Sequence, residues 1–66
     1  MLVKDFLNVC SFKPNRITDL NKNIYFLNGR KYAHYEEMKI NEVTNNNGYI
    51  TVILDTYGYD GEYKPV

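Results

Sequence analysis

Ile24-Tyr25-Phe26-Leu27-Asn28-Gly29-Arg30-Lys31-Tyr32-Ala33-His34-Tyr35 is the stretch that decides the fold. Two β-prone runs flank Asn28-Gly29, the dipeptide that best tolerates the positive φ angles of both central residues in a type I′ turn. The pattern predicts a two-residue hairpin with Phe26 opposite Lys31 and Tyr25 opposite Tyr32. An aromatic cross-strand pair of that kind is worth a few tenths to about 1 kcal/mol. Toward the N-terminus, Asn21-Lys22-Asn23 reads as a turn. Residues 16–20 read as a first strand, with Ile17 alternating against Thr18 and Asp19. Toward the C-terminus, Glu36-Glu37-Met38 is a break or a single helical turn. Residues 40–44 are open between a helical turn and a strand that needs a bulge, because Ile40 and Val43 lie three apart. Asn45-Asn46-Asn47-Gly48 is a second turn, and residues 49–55 form the strongest strand. Ile50, Val52 and Leu54 face one way there, while Ile53 makes the other face partly apolar, which predicts a central position.

Before the first strand, Val3, Phe6, Leu7 and Cys10 fall at i, i+3, i+4 and i+7, one apolar stripe of a helix that Leu2 and Val9 widen. A helix of about two turns cannot stand alone and must pack on something. Ser11, Pro14 and Asn15 end it, since proline biases its predecessor away from helix. The expected fold is therefore α+β: a short N-terminal helix on a small antiparallel sheet of three to four strands built from two hairpins. One domain, residues 1–66, is expected, with a folded core over 1–55 and a Tyr/Gly-rich segment over 56–66.

A chain of 66 residues buries only about 60% of the surface it exposes when unfolded. Domains of this size often lean on disulfides, a metal or a second subunit. Cys10 is the only cysteine and His34 the only histidine, so an intrachain disulfide and a Cys/His zinc cluster are excluded. Self-association or docking on a partner gains weight accordingly. Eight basic residues balance eight acidic ones, which argues against a generic nucleic-acid binder and against a strongly acidic DNA mimic. The halves differ. Residues 1–33 hold Lys4, Lys13, Arg16, Lys22, Arg30 and Lys31 against Asp5 and Asp19, whereas residues 34–66 hold Lys39 and Lys64 against Glu36, Glu37, Glu42, Asp55, Asp60 and Glu62. No apolar run approaches the roughly 18 residues of a membrane span, and Asp5 interrupts the only candidate for a signal peptide. A cytoplasmic location is expected, with no membrane partner.

Catalytic chemistry has little to stand on. Cys10 lies on the apolar helix stripe, where free cysteine acts as a small hydrophobe. His34 sits between tyrosines without a nucleophile to serve, and the adjacent pair Glu36-Glu37 has no converging acid. No GxGxxG, Walker A or EF-hand pattern occurs. An enzyme, a cofactor and a metal are not expected. What stands out is tyrosine, seven in all and no tryptophan. Tyrosine offers large contact area at low entropic cost and is enriched at binding surfaces. Tyr57, Tyr59, Asp60 and Tyr63 lie outside the apolar periods and form the first candidate binding surface. Arg30, Lys31 and Tyr32 at the hairpin form the second, suited to phosphate contact or base stacking.

The opening Met1-Leu2-Val3-Lys4-Asp5-Phe6-Leu7, the early polar turn and the closing Ile40-x-x-Val43…Asn47-Gly48-Tyr49-Ile50-Thr51-Val52 resemble small phage and prophage proteins of Gram-positive bacteria. The resemblance spans about residues 1–54 and rests on hydrophobic pattern; the acidic middle usual in such proteins is absent here, and no site residue transfers. It implies a context in which small non-catalytic proteins inhibit host machinery stoichiometrically, the anti-CRISPR and other anti-defence proteins among them. The leading expectation is a protein-binding module that inhibits a host defence protein, with a homodimer as the form of self-association expected for it. A nucleic-acid or nucleotide binder using residues 25–35, and a structural or assembly component of a virion, are the alternatives.

Overall fold

A computed structural model describes residues 1–58. The apolar stripe at the N-terminus folds as α1 (Val3–Val9). Val3 is fully buried, and Phe6 and Leu7 pack against the same core. Val9 does not widen the stripe as expected: it is 75% exposed, because in a helix of seven residues it falls on the far side from Val3. Leu2 offers no side-chain cap. The first amides of α1 are instead satisfied from across the chain, Val3 N–H donating to the Met38 carbonyl (2.9 Å) and Lys4 N–H to the Glu36 carbonyl (3.0 Å). The break at residues 36–38 is thus a turn that caps the helix.

The sheet corrects the expectation of three to four antiparallel strands. Five strands form one mixed sheet: β1 (Arg16–Thr18), β2 (Ile24–Leu27), β3 (Arg30–Lys31), β4 (Ile40–Asn46) and β5 (Tyr49–Leu54), in the order β3-β2-β1-β5-β4. The two hairpins are there, β2–β3 around Asn28-Gly29 and β4–β5 around Asn47-Gly48. All four turn residues have positive φ, from 48° at Asn28 to 92° at Gly29, as type I′ turns require. Phe26 faces Lys31, and the Tyr32 amide donates to the Tyr25 carbonyl (2.8 Å). Residues 40–44 are strand, and the bulge lies between Ile40 and Glu42.

What joins the hairpins is a parallel pair, β1 with β5, in the register Arg16↔Thr51, Ile17↔Val52, Thr18↔Ile53. Asn15 sets that register. Its amide donates to the Ile50 carbonyl (2.8 Å), and its side-chain oxygen accepts from the Ile50 amide (2.9 Å). As Ile53 suggested, β5 lies inside the sheet, with β1 on one side and β4 on the other. One face carries the core, where Ile17, Val52, Leu54 and Tyr25 meet Val3 of the helix. The other face has no layer over it among the described residues.

Candidate functional site

Register decides which side chains share the uncovered face. Residues directly opposite one another in neighbouring strands point to the same side of a sheet. The row Arg30–Leu27–Arg16–Thr51–Thr44 runs across all five strands, so Arg30 and Arg16 stand on one face two strands apart, roughly 10 Å between backbones. The neighbouring row brings Ile24, Thr18, Ile53 and Glu42 to the same side. Between these rows and Lys22 lies a shallow groove of about 490 Å³ whose floor is the buried pair Thr18 and Thr51.

Each arginine on this face rests over a tyrosine ring. The Arg16 guanidinium is 5.8 Å from the centroid of Tyr49, and Arg30 is 5.8 Å from that of Tyr32. Such contacts are worth about 0.5–1 kcal/mol at exposed sites, and they hold a long side chain in place before any partner arrives. Neither arginine has a carboxylate partner among the described residues, and neither does Lys22. Glu42, opposite Ile53, stands exposed on the same face.

Asp19 lines the same groove, yet its carboxylate is fully engaged. It is 2% exposed and accepts from the amides of Asn21 (2.9 Å), Asn23 (3.0 Å) and Gly58 (2.8 Å), from Asn23 Nδ2 (3.0 Å) and from the Tyr25 hydroxyl (2.8 Å). Burial alone would raise its pKa. The hydrogen bonds from the Asn23 side chain, Tyr25 and the amides of Asn23 and Gly58 outweigh it and hold the carboxyl below its ordinary 3.8. Asp19 is a structural hub, and it ties the end of β1 to the turn before β2 and to the chain beyond β5.

The second candidate patch divides between the faces. Arg30 and Tyr32 belong to the open side. Lys31 lies opposite Phe26 on the core side, 5.2 Å from the Tyr35 ring centroid and hydrogen-bonded to Glu36. That bond, reinforced by the Tyr35 amide, pulls Glu36 from 4.5 to about 2 against the opposing effect of burial. Burial, and then the Glu36 charge, raise the Tyr35 phenol. Glu36 therefore matches the Lys31 charge and draws it away from the hairpin patch. Glu37 is likewise matched, with Lys4 at 2.8 Å.

Of the first candidate surface, Tyr57 is 75% exposed, whereas Tyr59, Asp60 and Tyr63 lie outside the described residues. Arg16 and Tyr49 were not singled out from sequence. The parallel pairing that brings them beside Arg30 has no local signature. Cys10 borders a separate apolar groove with Leu7, Phe12, Pro14, Phe26 and Tyr35, also of about 490 Å³. Among the described residues no group of three His, Cys, Asp or Glu side chains converges as a metal site, and no helix is long and apolar enough to cross a membrane. Comparison of the chain with protein-family models, curated proteins and solved structures finds no match.

Proposed function

We propose that this protein is a non-catalytic binding module that docks its open sheet face on another protein. The observation that carries the reading is the placement of two tyrosine-supported arginines, Arg16 over Tyr49 and Arg30 over Tyr32, on one uncovered face. Binding energy at protein interfaces concentrates in arginine and tyrosine. A guanidinium already resting on a ring loses less freedom when it is buried. With Lys22 nearby, the face favours a partner surface of acidic character. The zero net charge of the chain supports a shaped protein partner over a generic polyanion. In the phage context that the sequence resemblance implies, the partner is a host protein in the cytoplasm, and occupying it blocks a defence function of the anti-CRISPR or anti-defence kind. Exposed Tyr57 is available to the same partner in this reading.

A second reading has a specific observation behind it: flat aromatic rings interleaved with arginines on an open sheet also suit single-stranded nucleic acid. One experiment separates the two. Tagged wild-type protein and an Arg16→Glu/Arg30→Glu variant, both checked for folding by circular dichroism, are used to capture partners from a bacterial lysate with and without nuclease. The protein reading expects a captured protein that survives nuclease and is lost with the double variant. Capture that vanishes with nuclease, together with oligonucleotide binding that weakens steeply as salt rises, selects the nucleic-acid reading. Capture indifferent to both charges removes the open face from either.

A further inference from the structure

The two edges of the sheet are unequal: β3 is two residues long and β4 is seven. An edge strand presents unpaired N–H and C=O groups that can template another strand. The start of β4 is already covered from within the chain. The Ile40 amide donates to the Met1 carbonyl (2.9 Å), and Leu2 forms an antiparallel bridge with Lys39. Past the bulge, this cover ends among the described residues. The Asn46↔Tyr49 pair closes a two-residue loop and so turns its backbone groups inward. Alternation along an antiparallel ladder then turns those of Thr44 inward and those of Val43 and Asn45 outward, to the open edge.

We propose that this edge pairs with the β4 of a second copy of the chain, antiparallel about a two-fold axis at Val43. The sequence of the edge matches itself in that register. Val43, 38% exposed, meets Val43 of the second copy, and Glu42 meets Thr44. The one charge in the stretch never faces its own kind, and the half-covered valine gains an apolar neighbour. A register centred on Asn45 would instead set Val43 against Asn47 and Glu42 against Gly48, with no such match. The alternative head-to-tail pairing, β4 on β3 of the next copy, has only two residues to receive it, so the assembly closes as a dimer and does not grow into a filament. A two-fold axis at Val43 stands perpendicular to the sheet, and both open faces end up on the same side of a ten-stranded sheet. A single strand pair is a small interface, so the dimer is weak and reversible. The proposal does not depend on what the open face binds.

Sedimentation equilibrium of the wild-type chain, over concentrations reaching the near-millimolar range, tests it. The expected result is a reversible shift from 7.8 kDa toward twice that mass. Val43→Pro removes the outward amide without touching the β4–β5 ladder and is expected to weaken the dimer about tenfold or more. Val43→Lys, which keeps the amide and puts charge at the axis, is expected to do the same and stands in if the proline variant misfolds. Thr44→Lys sets an ammonium opposite Glu42 of the second copy and is expected to tighten the dimer, which a contact elsewhere would not show. A chain monomeric at every concentration, a dimer indifferent to both Val43 variants, or an assembly that keeps growing overturns the proposal.

Discussion

Asp19 gathers hydrogen bonds from the 21–23 turn, β2 and the chain beyond β5, and among the described residues no cation pairs with its buried charge. Removing it strands five hydrogen-bond donors from three segments. Asp19→Ala is expected to cost on the order of 3 kcal/mol, close to all that a core of this size supplies. Asp19→Asn keeps the shape but turns a donor toward Tyr25 or Gly58, and is expected to cost about 1–3 kcal/mol. Urea unfolding followed by far-UV circular dichroism measures both. Acid sensitivity follows from the same groups. The carboxyls of Asp19 and Glu36 are held below their ordinary values of 3.8 and 4.5, Glu36 down to about 2. The folded state therefore binds fewer protons than the unfolded one through this window. Their stabilisation is complete above those ordinary values and disappears as pH falls from about 4.5 toward about 2. The midpoint of thermal unfolding is expected to hold steady from neutral pH to the mid-acid range and then drop, and Glu36→Gln is expected to make that drop shallower. The local signal at Asp19 is only the turn that follows it. Its bonds to Asn21 and Asn23 belong to the adjacent turn, but those that make it a hub come from Tyr25 and from Gly58, 39 positions away.

At the scale of elements, the hairpins were legible and their pairing was not. Asn28-Gly29 and Asn47-Gly48 declare their turns because few other residues accept φ near +50° and then near +90°. No atom crowds the space a Cβ would enter at Gly48, so Gly48→Ala tests backbone strain alone. It is expected to destabilise by about 1 kcal/mol, read as a lower denaturation midpoint with unchanged slope. The β1–β5 contact has no such advertisement. A parallel pair is joined by no turn, and here its register rests on Asn15 bonding Ile50 from 35 positions away. For the same reason local sequence signals imply an antiparallel sheet and group Arg30 with its chain neighbour Lys31. The strand alternation that puts Lys31 on the core side was available from sequence. The assignment of Arg16 to the same face as Arg30 needed the long-range register.

Taken as a whole, the molecule is a local β1–β2–β3 meander and a local β4–β5 hairpin welded by one distant pair, and that division has a kinetic consequence. Each hairpin closes a loop of two residues, whereas joining β1 to β5 closes one of more than thirty. The entropy of the long closure must be met before its contacts return anything. The β4–β5 hairpin, which also contributes Ile50, Val52 and Leu54 to the buried face, is placed to form early and to present the surface onto which β1 and the helix settle. Variants in it should then be felt in the folding limb, and variants at the late contact in the unfolding limb. Gly48→Ala is expected to slow folding with little change in the unfolding rate. Ile17→Val, at a fully buried residue facing Val52 across the parallel pair, is expected to cost about 0.5–1.5 kcal/mol and to speed unfolding with little effect on folding. Stopped-flow folding in urea, run below the concentrations at which copies associate, reads both limbs. The reverse assignment, with Ile17→Val slowing folding, would mean that the long-range pair forms in the transition state. The weld would then organise the hairpins, not join them after they form.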